Sequence, residues 1–206
     1  MPSVTEILDT FPEAELVAWK LRMGAKKVAE IGTEAKRIGS TVDVAIQTMR
    51  RTGTPPAGTP DPAIAHCLRG WQQFTEEHPA LVDSITGMQT ERQRGDILGH
   101  PDFEVRRVEG WGFLSLKCAG QIRPVYWTQE AAYSWLRNAE VNATYLGILR
   151  LDKEGKGYEL QELMDPEEID YEVQVWLNYL TLYRHRERVA HRARTWKEEA
   201  SACGIG

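Results

Sequence analysis

The sequence predicts an α/β (α+β) fold: a small mixed β-sheet flanked by helices, with a helical N-terminal part and a long C-terminal helix. Three observations carry this expectation. Apolar residues recur at spacings of three and four through residues 30–50, and again at Ile169, Val173, Trp176, Leu177, Leu180 and Tyr183. That is the period of a helix with one buried face. Between these stretches the pattern shifts to two short alternating runs, 102–108 and 111–117, around Glu109-Gly110, which is the signature of a β-hairpin. At 206 residues, 42% hydrophobic and with seven Trp, the chain can also fill one sizeable core.

The elements follow in order. Ser3 or Thr5 can cap a helix over 3–9, and Ser3 with Glu6 fits a capping box. Leu16, Val17, Trp19, Leu21 and Met23 predict an amphipathic helix over 13–30, continued over 30–50 by Ile31, Ala35, Ile38, Val42, Ala45, Ile46 and Met49. Three prolines and two glycines make 52–61 a loop. A helix over 62–78 is stopped by Pro79, and a short strand fits within 84–91. After the hairpin, 127–139 reads as a helix capped by Thr128, 142–151 as a strand, Lys153 to Lys156 as a turn and 157–163 as another strand. Asp165-Pro166 opens the last helix, 166–199. No repeat or low-complexity segment interrupts the chain. The expected organisation is one domain over 1–206, with a helical part at 1–80, a hairpin–helix–strand core at 84–163 and the helix 166–199.

Composition narrows the chemistry. A net charge of -5 argues against a surface coated in positive charge, while leaving room for a local basic groove. Cys67, Cys118 and Cys203 are odd in number and far apart, with no CxxC pair. Neither zinc nor an iron–sulfur cluster is expected, and a reducing, intracellular (cytoplasmic) setting is the natural reading. Met1 to Thr10 carries acids and no apolar run, and no stretch approaches the ~18 apolar residues of a membrane span, so no membrane association is expected.

Asp102 opens the first strand of the hairpin, and Ser115-Leu116-Lys117 closes the second. Residues two apart on a strand share a face, so Ser115 and Lys117 point the same way, and Asp102 comes within reach across the turn. An acid beside a lysine at strand ends suits a divalent cation and a water attacking a phosphodiester. Farther on, Gln129 and Tyr133 stand at i, i+4 on one helix face, where both can hydrogen-bond a phosphate or orient their neighbours.

These residues, in this order, resemble the RecB-like nucleases of the PD-(D/E)XK superfamily, most of all the compact phage-type exonucleases. The resemblance covers most of the chain. Ser3-Val4-Thr5-x-Ile7-Leu8 resembles the family's N-terminal segment, and Gly39-Ser40-Thr41-Val42-Asp43 its Gly-Thr-x-Val-His helix. Gly99-His100-Pro101-Asp102 is similar to the Gly-x-x-Asp motif that supplies the first metal-binding aspartate. Leu114-Ser115-Leu116-Lys117 resembles apolar-Asp-x-Lys, and Gln129 with Tyr133 the QxxxY signature. The resemblance implies a restriction-endonuclease-like core acting on DNA, with Mg²⁺ or Mn²⁺ if active. It also implies catalytic roles for Asp102, Lys117, Gln129 and Tyr133.

Two positions depart from the pattern. Ser115 stands at the position of the second carboxylate, and a hydroxyl is a poor ligand for a hard cation. Asp43 replaces a histidine and offers partial compensation. Glu91 and Glu130 are further candidate metal ligands, although Glu130 adjoins Gln129 and points about 100° away from it on a helix.

Each assignment has a plainer competitor. Asp102 and Lys117 also suit turn and surface roles, Tyr133 also suits packing with Trp127 and Trp135, and Asp43 and Glu91 suit solvated surfaces. Cys118 is read as a packed small residue and not as a nucleophile. Arg184, Arg186, Arg188, Arg192, Arg194 and Lys197 read either as a solvated helix face or as a face that tracks DNA phosphates or docks a partner. The expectation is therefore a nuclease-fold protein acting on DNA, a deoxyribonuclease if active, with hydrolysis weakened or lost through Ser115. The alternative is a non-catalytic DNA-binding, structural or regulatory component with a protein partner or a second copy of itself.

Overall fold

The computed structural model describes residues 1–54, 61–138 and 140–202. Most of the proline-rich connection, Ala139 at the predicted end of the 127–139 helix, and Cys203 lie outside them.

The chain opens with α1 (Val4–Asp9), whose capping box forms as the sequence predicts: Ser3 Oγ accepts from the Glu6 N–H at 3.2 Å, and Glu6 returns a carboxylate to the Ser3 N–H at 2.7 Å. Next come α2 (Ala14–Met23) and α3 (Ala25–Thr52). The expected continuous helix through residue 24 is corrected here. Gly24 adopts φ +77°, a backbone state that costs glycine little and side-chain-bearing residues more, and the helix breaks on it. The predicted amphipathic face of α2 buries no residue fully: Leu16 and Trp19 are half-buried and Leu21 is 79% exposed. In α3 the helical spacing does bury Ile38, Val42, Ala45 and Ile46.

Beyond the loop, Asp61 caps α4 (Pro62–Glu77) through the N–H groups of Ala63 and Ile64, and Pro79 begins a new short helix, α5 (Pro79–Asp83). Then follow β1 (Ile85–Met88), a small hairpin of β2 (Arg92–Arg94) and β3 (Ile97–Gly99), β4 (Phe103–Arg107) and β5 (Gly110–Lys117). The β2–β3 hairpin was not anticipated, because a three-residue strand carries too little alternation to register in the sequence. After it come α6 (Pro124–Arg137), β6 (Tyr145–Leu151), β7 (Tyr158–Leu163) and α7 (Pro166–Ala202). The predicted Thr128 cap is also corrected. Pro124 starts α6 one turn earlier, and Thr128 lies buried inside it, donating to Glu172 at 2.7 Å.

The main sheet has the order β1-β4-β5-β6-β7. The hairpin pairs antiparallel with Phe103 opposite Leu114, whereas β5 and β6 run parallel with Lys117 opposite Arg150. A parallel pair needs a crossover, and α6 supplies it. The sheet is therefore mixed, with helices on both faces.

Strand alternation sorts the core. Phe113 faces α1, α6 and α7, and packs with Ile7, Ala131, Leu136 and Trp176. Leu114, the next residue, faces α3 and α4 and packs with Val42, Ile46, Trp71 and Phe103. Ser115 and Lys117 share the parity of Phe113 and so face α6. Among the described residues, no helix is long and apolar enough to cross a membrane.

Candidate functional site

Asp102 sits one residue before the paired part of β4, beside the end of β5. Its Oδ2 accepts the Leu116 N–H at 2.8 Å. Lys117, the last residue of β5, donates from Nζ to Gln129 Oε1 at 3.0 Å and lies 5.2 Å from the Tyr126 ring centroid. Gln129 Nε2 donates onward to the Tyr133 hydroxyl at 2.9 Å and to Thr5 Oγ1 at 3.3 Å. The i, i+4 spacing on α6 thus becomes a relay of contacts from Lys117 to Tyr133. Burial first, and then the Glu130 carboxyl, hold the Tyr133 hydroxyl well above its ordinary range, so it stays protonated.

The glycine of Gly-x-x-Asp has a geometric reason. A Cβ on Gly99 would come within 2.6 Å of Leu136 Cδ1 and 2.9 Å of Tyr133 Cε1. Only glycine lets α6 pack this closely on the strand that leads to Asp102.

Asp43 arrives from α3 and, with Gly39, Ser40, Asp102, Leu116 and Lys117, lines one pocket of about 210 Å³. Gln47 donates to Asp43 Oδ2 at 2.9 Å. Gln89 donates to Asp102 Oδ1 at 2.9 Å and reaches both Asp43 oxygens at 3.4 Å. Burial, and to a lesser extent the Asp102 charge, raise the Asp43 carboxyl above its ordinary range. Sequence reasoning missed both glutamines. Gln47 was visible in principle, at i+4 from Asp43 on a helix. Gln89 carried no signal.

Ser115 is fully buried and donates its hydroxyl to Glu130 Oε1. Glu130 is fully buried too, and its Oε2 has no hydrogen-bond partner. Burial pushes this carboxyl up to about 8, so it is largely neutral at pH 7. The expected divergence from Gln129 holds: Gln129 turns to Lys117 while Glu130 turns into the core. Glu91 is corrected. It is not brought to the pocket but lies exposed on the surface, its Oε2 3.5 Å from His100 Nε2.

Arg184, Arg186, Arg188, Arg192 and Arg194 are all exposed on α7, and Arg184 donates to Asp96 at 2.9 Å. The Cys118 thiol is pushed up by a hydrogen bond with Cys67 and by burial, the opposite of what a nucleophile needs.

The donors present do not fit a resident divalent cation as they stand. Asp43 and Asp102 face one pocket, but amide donors already contact both carboxylates. Ser115 is taken up by Glu130, which is buried and largely neutral although the Lys117 and Asp102 charges reach it, and Glu91 lies exposed on the surface. Among the described residues, no group of three or more His, Cys, Asp or Glu is arranged to hold a metal.

No protein-family model matches the chain, and no curated protein matches it. Among solved structures the chain is similar to SSO0001 (12% identity, TM-score 0.43, 87% of this chain and 74% of that one). It is similar also to an alkaline exonuclease from Laribacter hongkongensis (13%, TM-score 0.35, 93% of each chain). A third is a phage-related exonuclease from Haemophilus somnus (11%, TM-score 0.39, 73% and 82%). The mixed five-stranded sheet flanked by helices agrees with the α/β fold class expected from the sequence.

Proposed function

We propose that this chain is one PD-(D/E)XK domain that acts on DNA, with metal-dependent phosphodiester hydrolysis weakened or lost. The observation that carries the proposal is the pairing of buried Ser115 with buried Glu130, where the family motif requires a carboxylate facing the pocket. A hydroxyl engaged with a neutral carboxyl supplies no charge to a hard cation.

The rest of the site retains features suited to a phosphate backbone. Lys117 is held by Gln129 against Tyr126 at the mouth of the pocket and presents a localised positive charge. Gln129 is fixed at its other end by Tyr133 and Thr5, which sets the lysine's direction. The exposed arginines of α7 offer a second, sequence-independent contact with phosphates.

The amides contacting both aspartates favour the non-catalytic version of this reading, in which the fold binds DNA or a protein partner without cutting. The purified chain is incubated with linear duplex DNA and Mg²⁺ or Mn²⁺, beside Ser115→Asp and the double variant S115D/K117A. The expected result is little or no degradation by the wild type, a gain in Ser115→Asp, and loss of that gain in the double variant. Brisk wild-type cleavage would refute the weakened-hydrolysis reading. Absence of any DNA binding by the wild type would refute action on DNA.

A further inference from the structure

Two like charges share the pocket, Asp43 from α3 and Asp102 before β4, and each would be stabilised by a positive group between them. The group that stands there is the neutral carboxamide of Gln89. Its Nε2 lies 2.9 Å from Asp102 Oδ1 and 3.4 Å from each oxygen of Asp43. A carboxamide nitrogen carries two N–H donors, enough to serve one carboxylate with each.

The backbone is shaped to hold it there. Gln89 has φ +47°, and among the described residues no other non-glycine has a positive φ. Such a conformation is uncommon for a side-chain-bearing residue outside functional or tightly determined positions. Its N–H also donates to the Asp102 carbonyl at 3.1 Å, so backbone and side chain both bind the same aspartate. Two further donors reach the same carboxylates, Gln47 on Asp43 Oδ2 at 2.9 Å and the Leu116 N–H on Asp102 Oδ2 at 2.8 Å.

We propose that Gln89 is a built-in substitute for a divalent cation: its carboxamide occupies the space between Asp43 and Asp102 and excludes the ion. This rests on the nuclease-fold reading and adds a cause for the weakened site that is separate from Ser115. The aspartates themselves remain competent. What keeps a cation out is a side chain on a neighbouring turn, and removing it opens the position.

The test is a titration with Mn²⁺, followed by calorimetry and by the loss of the free-ion paramagnetic resonance signal. It compares the wild type, Gln89→Gly and the double variant Q89G/D102N. Glycine removes the amide and accepts a positive φ, so the turn is preserved. The expected result is Mn²⁺ binding at least about tenfold tighter in Gln89→Gly than in the wild type, and loss of the gain in the double variant. Should Gln89→Gly fail to fold by its melting curve, Gln89→Asn replaces it, since asparagine tolerates this conformation and its shorter chain withdraws the amide. A folded variant that binds Mn²⁺ no better than the wild type overturns the proposal, as does a gain that survives D102N. A silent wild type beside a silent Gln89→Gly sinks the proposal and leaves the nuclease-fold reading standing. Wild-type cleavage of DNA with Mn²⁺ sinks the weakened-hydrolysis reading instead.

Discussion

Ser115 and Glu130 form a buried pair, hydroxyl to carboxyl, between the end of the central hairpin and the helix that crosses over it. The position that the sequence resemblance would give to a charged ligand thus contributes to the core.

The pair makes stability depend on pH. The Glu130 carboxyl is at about 8 in the folded chain, pushed there mainly by burial, against an ordinary value of 4.5. Because the folded value is the higher one, its contribution is fully present below pH 4.5 and is lost as pH rises through 8. Glu130→Gln keeps the shape without the charge. Thermal melts of the two proteins should therefore diverge in favour of the variant between pH 5 and pH 9, by an amount on the order of a few kcal/mol. Parallel melting curves at all pH values would contradict a buried, titrating Glu130.

Glu104, on β4 of the hairpin, is another buried carboxylate, with its side chain 7% exposed. Arg92 grips it at 2.7 Å through both Nε and Nη2, and Arg137 stands at 3.7 Å. Arg92→Ala leaves a buried charge with one distant partner, at an expected cost of about 2–4 kcal/mol, reduced because the arginine is itself partly exposed. Arg184→Ala, which breaks the exposed pair with Asp96, should cost less than about 1 kcal/mol. Urea unfolding of the two variants separates these cases.

Gly99→Ala introduces a methyl group against Tyr133 and Leu136. Overpacking of this kind should destabilise the chain by about 1–3 kcal/mol. Because Tyr133 receives the Gln129 hydrogen bond, DNA affinity should fall along with stability. An unchanged melting temperature would show that α6 gives way at no cost.

If α7 tracks phosphates, removing Arg188 and Arg192 together should weaken DNA binding equally for unrelated sequences. It should also flatten the slope of log affinity against log salt by roughly two units. Fluorescence anisotropy at several salt concentrations reads this directly, and an unchanged slope would mark the arginines as a solvated face.

Much of this fold was legible locally. The capping box at Ser3, the buried face of α3, the hairpin around Glu109-Gly110 and the apolar stripe of α7 depend on residues a few positions apart, and all appear where their spacing placed them. The failures have local causes as well. Gly24 broke a helix whose apolar period ran on past it, and Pro124 moved the start of α6 ahead of the apparent cap at Thr128. The contacts among Lys117, Gln129 and Tyr133 were foreseeable because a strand end and one helix face carry them. Glu91 was misplaced because nearness in sequence to Asp102 says nothing about the face on which a turn leaves its side chain.

By itself, the sequence determined most of the longer elements, their order and which chemistry-bearing residues they carry, since periodicity and turn chemistry act over one or two turns of chain. The tertiary structure alone decided that Asp43 and Asp102 share a pocket, that Gln89 reaches Asp43 across 46 residues of chain, and that Ser115 meets Glu130. Those contacts arise where α3 and α6 pack on opposite faces of one sheet. That depth and register are set by the volumes of Phe113, Leu114, Trp71 and Trp176 acting together, and no local spacing encodes them.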